Sequence, residues 1–201
     1  MATAWDAEAD RFDEQPDHGL ANGRVRAAWV SLLRDVLPAP PARVIDLGCG
    51  AGTLSVLLAE PGYGVTGLDV SPRMLDRAVQ KAARRGVDVR FTVGDAAWPD
   101  AAERFDVVLC RHVLWALPDV ASALSRWAAL LEESGLLVLV EGFWHTGAGL
   151  RANHLLPLVQ ARTATTPALR ALSAQADLWG GPVTDERYLI TARVTDASGS
   201  G

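Results

Sequence analysis

Residues 44–53 read Val44-Ile45-Asp46-Leu47-Gly48-Cys49-Gly50-Ala51-Gly52-Thr53, a short apolar run that ends in three glycines at alternate positions. A nearly continuous hydrophobic segment of this length suits a strand buried on both faces of a parallel sheet. Glycine at 48, 50 and 52 lets the chain turn sharply and brings bare backbone close to a ligand. The spacing is G-x-G-x-G. In the dinucleotide fingerprint G-x-G-x-x-G the third glycine falls at position 53, where Thr53 stands, so pyrophosphate binding is the weaker reading of this loop.

Upstream of this loop, Val25, Ala28, Trp29, Leu32, Leu33 and Val36 recur at helical spacing, with Asn22 in position to cap and Pro38 beyond the end. Downstream, a helix over about 53–59 is broken by Pro61-Gly62, and residues 64–70 form a second strand. Ser71-Pro72 then starts a helix whose stripe of Met74, Leu75, Ala78, Val79, Ala82 and Ala83 ends before Gly86. Residues 87–93 read as a third strand and 105–110 as a fourth, followed by a helix over about 119–132 and a fifth strand at 136–140. This alternation predicts a doubly wound α/β domain: a mostly parallel sheet covered on both sides, with right-handed crossovers. Beyond a Gly/Thr-rich turn at 146–149, a helix is expected over 150–162. Two final runs, 168–172 and 187–194, can close the sheet as a hairpin, although the first reads equally well as helix.

Composition bounds the function. At 201 residues, 49% hydrophobic and 21% charged, the chain has the balance of one globular domain. Its longest apolar runs, such as 136–140, fall far short of the roughly 20 residues that span a bilayer, and residues 1–8 lack the basic start and apolar run of a secretory signal. The expectation is a cytoplasmic protein with no membrane partner, a monomer or homodimer, with Cys49 and Cys110 as free thiols. A net charge of −5, with no basic cluster beyond Arg84-Arg85, argues against nucleic acid and for a small-molecule partner.

Asp69 ends the second strand, 69 − 46 = 23 residues after Asp46, so the fold brings its carboxylate beside the glycine loop to accept bonds from sugar hydroxyls. Capping the next helix is a poorer account of it, because Ser71 can do that. Together, residues 44–53 and Leu68-Asp69-Val70-Ser71-Pro72-Arg73-Met74-Leu75 resemble the class I S-adenosylmethionine-dependent methyltransferases. Val93-Gly94-Asp95-Ala96, Phe105-Asp106-Val107-Val108-Leu109-Cys110-Arg111-His112-Val113-Leu114 and Gly135-Leu136-Leu137-Val138-Leu139-Val140-Glu141 look like that family's later segments, in order.

The resemblance covers about residues 43–145 strongly. It implies a seven-stranded sheet with an antiparallel C-terminal strand, in one domain over 1–201. Within that domain, 1–37 would form an N-terminal lid and helix, 43–145 the cofactor-binding core, and 146–195 an acceptor-side helix and hairpin. The implied cofactor is S-adenosyl-L-methionine, with S-adenosyl-L-homocysteine as product. Asp46 would meet the methionine moiety through water or backbone, with Gly48, Gly50 and Gly52 its close neighbours. Asp69 would hold the ribose, and Val70 and Met74 would lie beside the adenine. Asp95 and Ala96 would read the adenine edge, and the Arg111 backbone would lie near the methionine amino group.

Methyl transfer is an in-line displacement driven largely by orientation, worth up to roughly 7–11 kcal/mol, so a base is not obligatory. Where one is used, His18, His112 and His145 are the candidates, since imidazole titrates near neutral pH; each can instead be a hydrogen-bonded structural histidine. Glu141 is either a base or a helix-facing polar residue. Trp115 and Trp144 are candidate walls of an acceptor pocket, and Trp5 and Trp29 read as core or lid anchors. Phe12, Asp13, Pro16, Asp17 and His18 lack the periodicity of a core element and are expected to lie in the lid. Cys110-Arg111-His112-Val113 stands where nucleic-acid amino-methylating enzymes carry Asn/Asp-Pro-Pro-Tyr/Phe, and nothing near Asp119 supplies metal ligands, so metal-free transfer to a small molecule is expected. Two alternatives stay open: a catalytically silent binding module, and a nicotinamide-dependent oxidoreductase, which the glycine spacing and Asp95 disfavour.

Overall fold

The computed structural model describes residues 2–14, 18–100 and 102–194. The chain runs α1 (Ala2–Glu8), α2 (Gly23–Val36), β1 (Arg43–Leu47), α3 (Thr53–Ala59), β2 (Gly64–Asp69), α4 (Pro72–Arg85), β3 (Arg90–Val93) and β4 (Phe105–Arg111). It continues through α5 (Val120–Ala129), β5 (Leu131–Phe143), α6 (Ala152–Gln160), β6 (Ala168–Ala171), α7 (Ala176–Trp179) and β7 (Glu186–Arg193). The strands form one seven-stranded sheet in the order β3-β2-β1-β4-β5-β7-β6. The first five are parallel neighbours, and β7 runs antiparallel to both β5 and β6.

This order positions the site. From β1 the chain steps outward to β2 and β3, then returns to lay β4 and β5 on the other flank, so the winding reverses between β1 and β4. The helices leave opposite faces there and open a crevice beyond the carboxyl ends of the two strands, where ligands of open α/β sheets bind. Glycines 48–52, Asp69 and residues 111–114 all lie at that edge.

Strand alternation builds a core on each face. On β4, Val107 and Leu109 face Trp29, Leu33 and Leu57 of α2 and α3, while Val108 and Cys110 face Leu124 and Trp127 of α5 and Leu155 of α6. The helix caps are those the sequence offers. Asn22 accepts the Arg24 amide at 2.9 Å, and Ser71 Oγ accepts the Met74 amide at 3.1 Å with Pro72 at the first helical position.

The structure moves some bounds and settles one ambiguity in the sequence expectation. The fifth strand starts at Leu131 rather than 136, ending α5 at Ala129, because Leu131 already pairs with Phe105 across a bulge. Residues 168–171, ambiguous in sequence, are a strand because β7 supplies a hydrogen-bonding partner that overrides helical propensity. The N-terminal segment, expected to lack core periodicity, begins as helix α1 and places Trp5, Ala9 and Phe12 against Ala51 and Met74. Its 5, 9, 12 spacing is helical, but intervening acidic residues obscure it.

Trp127 couples this packing to the crevice: fully buried on α5, it donates its Nε1–H to the Ala96 carbonyl at 2.7 Å. Trp127→Ala is expected to cost about 3–5 kcal/mol in urea unfolding. Trp127→Phe, which mainly strands the buried Ala96 carbonyl, should cost about 1–2 kcal/mol.

Candidate functional site

Gly48 and Gly50 take left-handed φ values of 70° and 54°, and each has a neighbour that forbids a side chain. A Cβ at Gly48 would collide with the Val113 γ-carbons, and one at Gly50 would lie 2.9 Å from Phe12 Cε1. Glycine thus lets the loop adopt its curvature and lie flush between β4 and the N-terminal segment. The Leu68 carbonyl accepts the amides of both Gly48 and Cys49, at 2.7 and 3.0 Å, fixing the loop to the end of β2.

Asp69 locks the other side. Its Oδ2 accepts the Gly50 amide at 2.8 Å and its Oδ1 the Ser71 amide at 2.9 Å. Burial pushes this carboxyl above the usual range, while the backbone donors, led by Ser71 and Gly50, oppose the shift. Two bonds leave acceptor capacity on a carboxylate, and Asp69 still lines the cavity. Asp46, at the end of β1, is 3% exposed and accepts Ser55 Oγ at 2.6 Å. Burial raises it to about 6, against the lowering effects of the Ser55 bond and the Arg111 charge.

Between these groups lies an open cavity, with a second, smaller one that shares Phe12, His18, Gly48 and Arg111 with it. Of the residues singled out from sequence, Gly48, Gly50, Asp69, Val70, Met74, Asp95, Ala96, Arg111, His18 and His112 line the larger cavity, and Asp46 lines the smaller. Gly52 lines neither; it precedes α3, where a Cβ would meet Ala78 and Phe91, so its role here is close packing. His145 also lies off both cavities, 82% exposed beside Asp185. Trp115 and Trp144 are not on the walls either, but their rings meet at 5.7 Å, and Trp144 packs edge-on against His112 at 5.1 Å.

Sequence reasoning missed Ala116 and Leu117 as cavity residues and gave Val113 no role beyond its segment. Their signal was position alone, directly after the fourth strand. It also did not place Trp5 on the cavity wall.

His112 stands apart chemically. Its φ is +60°, a region that non-glycine residues rarely occupy, and its amide is held by the Val140 carbonyl at 2.9 Å. Its Nε2 is buried without a hydrogen-bond partner. Burial, followed by the charges of Arg111, His18 and Arg187, holds the imidazole well below the usual histidine range, so it is neutral at pH 7.

Over residues 44–135 the chain matches a methyltransferase-domain family. It is 38% identical to a ubiquinone biosynthesis O-methyltransferase of Haemophilus ducreyi over 48% of this chain and 44% of the relative. It is also 33% identical to a demethylmenaquinone methyltransferase of Deinococcus radiodurans, over 71% and 61%. Residues 44–135 thus carry a methyltransferase domain, and the chain is similar to S-adenosylmethionine-dependent methyltransferases. The fold agrees: the N-methyltransferase NodS from Bradyrhizobium japonicum superposes with a TM-score of 0.73 at 22% identity, covering 96% of this chain and 99% of that one. The chain spans about half the length of the quinone-pathway relatives it matches.

The residues present fit the family's cofactor, S-adenosylmethionine. Val70, Met74, Ala96 and Leu117 line an apolar part of the cavity, and Asp69, Asp46 and Arg111 set charged groups beside it, the mixture such a cofactor needs. A nicotinamide cofactor finds no support in the family match.

Asp46 sets function against stability. Its folded pKa of about 6 lies above the unfolded value near 4, so the folded state holds the extra proton between them and stability falls as pH rises through that window. Asp46→Asn is therefore expected to be more stable than the wild type by about 1–2 kcal/mol at pH 7.5, with the gap closing as pH falls from 6 to 4. Urea unfolding at both ends of the window checks this, and calorimetry should show weaker S-adenosylhomocysteine binding in the same variant.

Proposed function

We propose that the chain transfers a methyl group to a hydroxyl oxygen of a small-molecule acceptor, with His112 receiving the hydroxyl proton. The observation that carries the reading is a neutral, buried imidazole on the cavity wall whose Nε2 has no protein partner. A buried polar atom left unpaired in a close-packed fold calls for an explanation, and an acceptor hydroxyl supplies one. The O-methyltransferase names of the relatives favour oxygen as the methylated atom.

S-adenosylmethionine, when bound, supplies the electrophilic methyl group. The chain's own groups do the rest. Asp69 and the glycine loop orient the donor, while His112 faces the acceptor. The His112 lone pair takes up the proton that would otherwise leave positive charge on the attacking hydroxyl oxygen. Trp144 packs T-shaped against the imidazole and Trp115 T-shaped against Trp144, so in this reading the two indoles stand near the acceptor mouth.

The N-terminal segment serves as a lid in this reading. Trp5, Phe12 and His18 line the cavity, and Phe12 stacks on His18 with ring centroids 4.2 Å apart. Asp10 pairs with Arg73 and Arg77, and Asp13 with Lys81 on α4. Pro16 and Asp17, also assigned to the lid from sequence, lie outside the described residues. Closure would keep water from the reacting methyl.

His112→Ala should lower turnover of a catechol or hydroquinone acceptor by about 10²–10⁴-fold while leaving S-adenosylhomocysteine affinity within a few-fold. Because the imidazole titrates below the usual value, wild-type turnover should stay flat from pH 8 to 6.5 and fall only at lower pH, where His112 takes up a proton. Full activity in the alanine variant would remove His112 from the chemistry. For the lid, amide exchange in residues 5–14 should slow when S-adenosylhomocysteine is added; equal exchange in both states would leave this segment as mere packing.

A further inference from the structure

Glu141 occupies a position the sheet reserves for an apolar side chain. On β5 the alternation that turns Leu137 and Leu139 toward α5 and α6 gives Glu141 the same face, and it is 0% exposed. Its Oε1 accepts two consecutive amides, Val113 at 2.9 Å and Leu114 at 2.8 Å, while its Oε2 is buried without a partner. Those amides open the single helical turn Leu114–Ala116, whose capping residue, Val113, makes no side-chain cap bond of its own. The first N–H groups of any helical turn lack internal acceptors, and here a carboxyl from the neighbouring strand supplies one.

What that turn carries makes the contact more than a cap. Immediately before it stands His112 in its left-handed conformation, and the His112 carbonyl accepts the Trp115 indole N–H at 2.9 Å. Val113 packs its γ-carbons on Gly48, and Val113, Ala116 and Leu117 line the cavity. We propose that Glu141 is a positioning residue of the cofactor site: by holding the Val113 and Leu114 amides on one oxygen, it fixes the turn that presents His112, Val113 and Leu117 to the cavity. The proposal rests on the assignment of that cavity to S-adenosylmethionine and is independent of whether His112 acts as a base.

The test compares the full chain with Glu141→Gln and Glu141→Met. Calorimetry measures S-adenosylhomocysteine affinity, and ¹H–¹⁵N spectra follow the Val113 and Leu114 amides and the Trp115 indole. Glutamine keeps a carbonyl oxygen for both amides, so its affinity should stay within about twofold of wild type. Methionine fills the volume without accepting, and affinity should fall at least tenfold, with shifts at the three reporter N–H groups and none at α2 amides. Methionine binding as tightly as wild type, or glutamine as weak as methionine, would overturn the proposal. Should the methionine variant not fold, the glutamine spectra decide alone: the Val113 and Leu114 amide protons must move as the carboxyl acceptor is replaced by a carboxamide, and unmoved resonances sink the idea. Failure of the cofactor assignment is distinguishable, since the wild type itself would then not bind S-adenosylhomocysteine.

Discussion

Two turns of backbone meet on one carboxylate. Asp69 takes the Gly50 amide from the loop after β1 and the Ser71 amide from the entry to α4, and nearly everything at the crevice is referred to that point. Hydrogen bonds from backbone donors to a charged acceptor are roughly twice as strong as neutral ones, and they are directional. Asp69 therefore sets how far the glycine loop stands from β2, where α4 starts, and where Met74 sits in the first turn of that helix. Asparagine could offer only one oxygen to these two amides and would turn an N–H toward the other.

The edge pays for this arrangement in stability. Asp46, Asp69 and Glu141 are three buried acids at the ends of β1, β2 and β5, and burial raises each above its usual range, Glu141 to about 8. Desolvating each carboxyl costs stability, and the donors that face it offset part of that cost. The partners show what each acid does. Asp46 is held by Ser55 of α3 and feels Arg111, Asp69 binds two loops, and Glu141 binds the turn after β4. Asp69 and Glu141 thus tie a strand end to the element that follows a neighbouring strand, Asp46 ties β1 to its own following helix, and the crevice keeps its shape through these ties.

Legibility from sequence follows the same division. The parallel half was readable because buried strands are short apolar runs and the helices between them carry clear caps, as at Asn22 and Ser71-Pro72. The carboxyl-edge acids were readable because strand ends converge by topology. Bounds were lost where pairing overrides local pattern: Leu131–Gly135 joins β5 only through Phe105, and 168–171 becomes a strand only beside β7. The cavity wall at Ala116 and Leu117 was hidden for a different reason. Those are ordinary apolar residues, and they face the cavity because the turn at His112–Leu114 rotates them there, which no local periodicity encodes. His145 shows the converse: following a strand end is not sufficient, since the chain after Phe143 turns outward through the 146–149 loop and leaves the imidazole exposed.

The N-terminal segment also has a physical logic for being reversible. Its ion pairs to α4 look extensive, with Asp10 and Asp13 answering Arg73, Arg77 and Lys81 one helical turn apart. Yet Asp10 and Arg73 are more than half exposed, and exposed pairs contribute about 0–1 kcal/mol each and weaken with salt. The apolar hold is equally small, a cluster of Trp5, Ala9 and Phe12 on Ala51 and Met74. Neither contribution alone outweighs the entropy of ordering a dozen residues. The segment is thus held by a narrow margin, and the groups it adds to the cavity, Trp5, Phe12 and His18, are those a bound ligand would meet. If the segment is a lid as proposed, contact with a ligand would widen that margin by mass action, and binding and closure would be coupled through the same few side chains.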